Sequence, residues 1–340
     1  MKWLTVAELE ILLGRLPGLR VGVLGDFALD CYWPVAPAAA QHSVETGRLT
    51  RPVAGQRYAP GAAGNVVVNL LALGCGRVSA FGVLGRDPWG AELRRLLRAR
   101  KADTTGLPRQ AADWETVAYV KPHRRGVEQN RFDFGDFNRL HDDVADQLVQ
   151  LLADALPGLD AVVVNAQARA GIHSAYLRRR LAALIGRHTA RLFIVDSRER
   201  GALYPGCLLK INNLEAARCT GRVSPAGGAL SRRQSLAAAA ALFAERDRPV
   251  FVTCGARGML VQDQTGVTEV PAIPLGAAGD TTGAGDAALA GITAALASGA
   301  PPVAAAGLGT LAAAVCVGKL RQTGTASPDE IRALLRRRSG

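Results

Sequence analysis

Asp286 follows three small residues, Gly283-Ala284-Gly285, and precedes an apolar run with Ala287, Ala288, Leu289 and Ile292. The pattern predicts a loop that opens into a buried helix. Glycines let backbone approach a ligand closely, and the unpaired N–H groups of a helix start attract anions. A carboxylate at that mouth can take a proton from a hydroxyl while the amides of 283–285 absorb charge on a transferring phosphoryl group. Two further carboxylates, Asp26 and Asp30, follow the apolar run Arg20–Leu24 and its Gly25. That run reads as a central parallel strand, whose carboxyl end is where open α/β sheets bind ligands.

Other groups of the right chemistry are spread along the chain. Pro60-Gly61-Ala62-Ala63-Gly64-Asn65 joins small residues to an amide that can both donate to and accept from vicinal hydroxyls. Asn212 and Glu215 have the spacing of a helix-capping box. Thr253-Cys254-Gly255-Ala256-Arg257-Gly258 is a Gly-rich turn after the strand Val250–Thr253. Arg131 lies in an irregular basic stretch, 122–139, and Arg198 follows a strand ending at Asp196. A solvated arginine or a structural salt bridge accounts for each of these two arginines as well as a ligand contact does.

The string Asp280-Thr281-Thr282-Gly283-Ala284-Gly285-Asp286 resembles the signature of the PfkB (ribokinase-like) sugar kinases. Gly25-Asp26-Phe27-Ala28-Leu29-Asp30-Cys31-Tyr32-Trp33 is similar to the opening of the branch that phosphorylates D-glycero-β-D-manno-heptose 7-phosphate. Gly82–Gly90 and Lys210-Ile211-Asn212-Asn213-Leu214-Glu215 also follow family patterns, with Ile211 where proline is usual. The resemblance covers roughly residues 20–335. It implies an ATP-dependent kinase for a sugar or sugar-phosphate hydroxyl, with Asp286 as general base and Gly283, Ala284 and Gly285 as anion hole. It implies Asp26, Asp30, Gly61, Asn65 and Arg131 on the acceptor. Asn212, Glu215, Arg198, Thr253, Gly255, Gly258 and Thr281 would serve the nucleotide, with Glu215 reaching Mg²⁺ through water. ATP and Mg²⁺ are the implied cofactors, and a monovalent cation stays open.

The chain departs from the family pattern at Ala62, at Val67, and most at Asn165-Ala166-Gln167-Ala168-Arg169-Ala170, where the heptose-phosphate branch shows Ser-Asp-Tyr-Gly-Lys-Gly. Two alternatives therefore stand beside the heptose-phosphate reading. One is a kinase of the same family for another sugar or nucleoside. The other is a member that binds nucleotide or sugar without catalysis. No H-x-G-H motif follows, so no fused nucleotidyltransferase is expected.

The elements that must position these groups alternate between apolar strands and helices. This predicts a three-layer α/β/α fold with a mostly parallel central sheet. The resemblance adds a small β-sheet lid. Residues 1–19 read as an N-terminal helical extension and 20–340 as the kinase domain, with lid segments at about 34–60 and 114–135. The net charge of +12 over 340 residues comes mostly from arginines scattered on helix faces. With no zinc spacing and no aromatic-basic strand pattern, it does not point to nucleic acid. Ala287–Gly318 lacks charge, but Gly299-Ala300-Pro301-Pro302 breaks it into two buried helices, so no membrane partner is expected. Six dispersed cysteines and an N-terminus unlike a signal peptide point to the cytoplasm. The family's habit implies a homodimer through the lid.

Overall fold

Strand β1 (Arg20–Gly25) passes the chain from one sheet to another across the single residue Asp26, and β2 (Phe27–Pro34) begins at once. The computed structural model describes residues 3–197, 204–222, 230–275, 281–319 and 324–339. The larger sheet also contains β4 (Arg77–Phe81), β10 (Ala161–Ala166), β11 (Leu192–Ser197), β12 (Leu208–Asn212), β13 (Val250–Thr253), β14 (Met259–Asp263) and β15 (Gly266–Val270). Its order is β15-β14-β13-β12-β11-β10-β1-β4; the run from β4 to β13 is parallel, and β14 and β15 form an antiparallel edge.

The second sheet joins β2 to β3 (Arg57–Ala62), β7 (Val117–Arg124), β8 (Val127–Glu128) and β9 (Phe132–Phe134). The short pair β5 (Leu84–Gly85) and β6 (Arg109–Gln110) stands apart. The sequence predicts one strand over Val78–Leu84, but it breaks after Phe81. There Gly82 lies so close to Phe27 and the Gly25 carbonyl that a Cβ would fall 2.5 Å and 2.7 Å from them.

Helices cover the larger sheet on both faces, as the fold class expected from sequence requires. One face packs against α1 (Val6–Arg15), α2 (Ala63–Ala72), α8 (Ala284–Ala297), α9 (Pro302–Val317) and α10 (Pro328–Ser339). The other packs against α4 (Asp142–Ala155), α5 (Ala175–Arg187), α6 (Asn213–Cys219) and α7 (Arg232–Arg246). The remaining helix, α3 (Pro88–Ala99), backs the second sheet. Helix α1 starts with a Thr5/Glu8 capping box and places Leu9, Leu12 and Leu13 in the same core as α8 and α9.

The second sheet has two chemically different faces because side chains alternate along a strand. Phe27, Leu29 and Cys31 of β2 and Ala118 and Val120 of β7 enter the core. Asp30, Tyr32, Tyr119, Lys121 and His123 therefore share the opposite face. Strand β2 accounts for this placement of Asp30.

The uncharged run from Ala287 to Gly318 divides into α8 and α9, and no helix among the described residues is long and apolar enough to cross a membrane. The two helices touch backbone to backbone. A Cβ on Gly291 would stand 2.8 Å from the Gly309 Cα and 2.9 Å from its nitrogen. Backbone cannot yield as a flexible side chain can, so Gly291→Ala is expected to destabilise the fold by about 2 kcal/mol. Urea denaturation measures it, and a loss confined to a few tenths would show that α8 and α9 separate easily.

Candidate active site

Helix α8 begins with Gly283 as its N-cap at φ 79°, a left-handed conformation that favours glycine. The Ala284 amide closes a turn onto the Thr281 carbonyl, 3.2 Å. Helix geometry leaves the next donors, Gly285 and Asp286, without an intrahelical acceptor. Asp286 is thus the third residue of a helix whose N-terminal dipole favours anions. Its Oδ2 accepts a 2.7 Å hydrogen bond from Asn65 Nδ2, and Asn69 Nδ2 donates to Asn65 Oδ1 at 3.0 Å. Burial pushes the Asp286 carboxyl up to about 6; Asn65 pulls it down, Asp196 pushes it up, and Lys210 pulls it down. Residues 276–280, which include Asp280 of the motif, lie outside the described residues.

On the acceptor side, Asp30 Oδ1 accepts from Lys121 Nζ at 2.7 Å, and both side chains are buried. Burial pulls the Lys121 ammonium down, but Asp30 and Tyr32 more than offset this and leave it raised. A Cβ on Gly61 would meet Asp30 Oδ2 at 2.9 Å, so only glycine lets β3 lie this close. Next to it, Ala62 has φ 48° and ψ −125°, where L-residues are strained. This is the position at which the resemblance expects a second glycine.

Asp26, expected on the acceptor side, is held by backbone amides of a distant loop. Its carboxylate is 2% exposed and accepts three backbone N–H bonds of 2.8 Å, from Gln167, Ala168 and Ile172. Asp26 therefore clamps the loop after β10, the segment that departs most from the heptose-phosphate pattern. Arg131 is likewise engaged: it pairs with Asp133 at 2.5 and 2.6 Å and stacks over Tyr119 at 4.3 Å. A cavity of about 740 Å³ lies instead over the polar face of the second sheet. Tyr32, Arg57, Lys121, His123, Arg125 and Glu128 line it, and Thr282 closes one side. Its charge is basic, with Arg57 stacked on Tyr32 at 4.3 Å.

On the other side, Asn212 caps α6, and the capping box is complete. Asn212 Oδ1 accepts from the Glu215 amide at 2.9 Å, and Glu215 Oε2 accepts from the Asn212 amide at 3.0 Å. Thr253 is the register partner of Asn212, and Gly255 and Gly258 shape the following turn with φ of 59° and 96°. Thr281 is exposed at the approach to α8. Arg198 lies outside the described residues.

Sequence reasoning missed three buried charges: Lys121, Lys210 and Asp196. The Lys121 signal was the alternation of polar residues Tyr119 and Lys121 along one strand. Lys210 and Asp196 pair at 2.8 Å between neighbouring strands, which strand order alone brings together.

The site thus joins a carboxylate at a glycine-started helix, the polar face of the second sheet and the capped turn at Asn212. Solved structures share the fold. Phosphofructokinase-2 from Escherichia coli, in complex with potassium, aligns with TM-score 0.75 and 20% identity over 95% of this chain and 99% of that one. Arabidopsis thaliana ribokinase, complexed with ribose and ATP, aligns with TM-score 0.71 and 17% identity over 93% and 98%. The pfkB family carbohydrate kinase model matches residues 31–330, so this chain belongs to the pfkB family of carbohydrate kinases. It is a phosphotransferase of the type that acts on alcohol groups. Its relatives include the bifunctional protein HldE of Caulobacter vibrioides, 31% identical over 89% of this chain and 61% of that protein. HldE of Methylococcus capsulatus is 32% identical over 92% and 63%. The chain thus spans less than two thirds of the length of these relatives.

Two outcomes follow. Ala62→Gly is expected to stabilise the protein by about 1 kcal/mol, by removing the cost of a side chain at positive φ; a loss of stability in urea would show that Ala62 is not strained. Asp286 binds a proton on folding between its ordinary 3.8 and about 6, so its charge costs nothing below that window and its full penalty applies above it. Asp286→Asn is expected to be more stable than wild type above the window by about 3 kcal/mol, the gain closing as pH falls through it. Melting curves across pH test this, and a gain that does not change with pH would contradict it.

Proposed function

We propose that the protein transfers the γ-phosphoryl group of MgATP to a hydroxyl of a phosphorylated sugar, with a heptose 7-phosphate as the best-fitting acceptor. The observation that carries this reading is the basic cavity over the second sheet, whose lining includes Thr282, two residues before α8. A sugar whose hydroxyl faced Asp286 would extend its far end toward that cavity. There Arg57, Lys121, His123 and Arg125 suit a phosphate. This is the role the sequence suggested for Arg131. Similarity to HldE proteins supports the same acceptor class.

In this mechanism Asp286 takes the hydroxyl proton as the oxygen attacks the γ-phosphorus, and ADP leaves in line. Of the expected anion hole, the Gly283 and Gly285 amides stabilise charge on the transferring group, whereas the Ala284 amide is engaged with the Thr281 carbonyl. Asp30, Gly61 and Asn65 shape the acceptor side, and Asp26 acts through the loop it clamps. Thr253, Gly255, Gly258, Thr281 and Arg198 are assigned to the nucleotide.

Among the described residues no three His, Cys, Asp or Glu side chains gather into a metal cage. Mg²⁺ would arrive with the nucleotide, keeping much of its water. The Asn212–Glu215 turn would meet those waters, Glu215 having committed one oxygen to the cap. The ion would supply charge neutralisation between the phosphates. A requirement for a monovalent cation is tested by replacing potassium with tetramethylammonium. We further assign the protein to the cytoplasm, where MgATP is abundant. We assign it a homodimer through the second sheet, whose outer parts leave Leu49, Val127, Phe132 and Phe137 exposed. Light scattering of the purified protein tests the dimer.

Asp286→Asn is expected to lower kcat by about 10³-fold or more with little change in KM for ATP. Full turnover in that variant removes Asp286 from the chemistry. Arg57→Ala and Arg125→Ala are expected to raise KM for heptose 7-phosphate by about ten-fold each while leaving kcat for an unphosphorylated sugar unchanged. Equal effects on both acceptors would show that the cavity does not read a phosphate.

A further inference from the structure

A buried ion pair lies beneath the first turn of α8. Lys210 on β12 and Asp196 on β11 are register partners, and Lys210 Nζ donates to Asp196 Oδ2 at 2.8 Å. Their side chains are 6% and 5% exposed. They share the sheet face of Ile194 and Leu208, which pack into the same core as Ala287 and Ala288 of α8. A Cβ on Gly285 would stand 3.3 Å from Lys210 Nζ, so the ammonium lies against the residue preceding Asp286. Asn165, the next register partner along the row, is fully buried, and its side-chain amide makes no hydrogen bond among the described residues.

This placement is poor design for stability alone. A cation at the positive end of a helix is unfavourable. Replacing a buried ion pair with apolar side chains is often neutral or stabilising. The arrangement makes sense where the cation serves a second anion besides Asp196, and Lys210 also acts on Asp286. The groups that bear on Asp286 come from every element packed around it. They are Asn65 on α2, Asp196 on β11, Lys210 on β12, Asp30 on β2 with Lys121 beyond it on β7, and Cys316 on α9. Glu215 on α6 acts on Lys210 in turn. Lys210 is the cation that acts directly on Asp286.

We propose that Lys210, fixed by Asp196, is the positioning residue for Asp286: its ammonium supports the first turn of α8 and keeps the carboxylate ionised for proton uptake. The proposal rests on the reading of Asp286 as general base. It assigns opposite signs to the two partners. Removing the Lys210 charge leaves Asp286 facing the Asp196 anion, so Asp286 ionises at higher pH. Removing the Asp196 charge leaves Lys210 to Asp286 alone, so Asp286 ionises at lower pH. A pair with a merely structural role would weaken the protein without moving this titration, or would move it the same way in both variants.

The test reads the ionisation of Asp286 without turnover. Melting temperature is measured against pH for wild type, Lys210→Gln, Asp196→Asn and the double variant. Each is paired with the same protein carrying Asp286→Asn. The pH at which each pair stops diverging marks the folded-state ionisation of Asp286. The expected result is a shift of about one pH unit upward for Lys210→Gln and about one unit downward for Asp196→Asn. No shift, or shifts of the same sign, would overturn the proposal.

The double variant leaves no unpaired buried charge and guards against a single variant that does not fold. It is expected to titrate within about half a unit of wild type. Its kcat/KM with MgATP and heptose 7-phosphate, above the titration window, is expected to fall by at least about ten-fold. Wild-type turnover in the double variant would overturn the proposal. If Asp286→Asn alone keeps turnover, the reading of Asp286 as base fails, and the melting data still decide whether Lys210 governs its charge.

Discussion

The Asp286 carboxylate is held between the Asn65 amide and the start of α8, over a buried cation, and this constraint sets the placement of the surrounding elements. Helix α2 must begin where Asn65 can reach it, which forces β3 to end in Gly61-Ala62 and Ala62 into a strained conformation. Strands β11 and β12 must pair in the register that sets Asp196 beside Lys210. Helix α9 must lie close enough to lock α8, and small residues at Gly291 and Gly309 permit that. The cost of a partly desolvated carboxylate is offset by the rest of the core, the usual relation between stability and an active site.

The second sheet divides its side chains between two surroundings. One of its faces belongs to the core and the other carries Asp30, Tyr32, Lys121 and His123 toward the cavity. The alternation of a single strand would thus tie folding to the proposed acceptor recognition. Any slip of one residue in β2 would send Asp30 into the core and Leu29 to the cavity. The Asp30–Lys121 bond across neighbouring strands helps fix that register.

Much of this was legible in the sequence, and the limits have physical causes. The helix behind Asp286 was readable because its apolar residues follow directly on a glycine-rich turn. The Asn212–Glu215 cap was readable because both partners lie within one turn. Long-range partnerships were not. Asp26 binds amides 141, 142 and 146 residues away, and nothing in the local sequence separates that clamp from a ligand contact. Lys210 and Asp196 meet only because β11 and β12 are parallel neighbours in a particular register. Arg131 stood out as one base of a basic stretch, and Asp133, two residues on, pairs with it. Alternation in extended chain would have suggested that pairing.

The central claim is that the chain performs phosphoryl transfer to a phosphorylated sugar, and phosphorus NMR of the reaction mixture tests it most directly. With the purified protein, MgATP and heptose 7-phosphate, the account predicts stoichiometric ADP and a second phosphate ester on the same sugar. ADP with a singly phosphorylated product from an unphosphorylated sugar, and none from the heptose phosphate, would contradict the assigned acceptor. Nucleotide binding without ADP from any sugar, sugar phosphate or nucleoside would contradict the claim of catalysis itself.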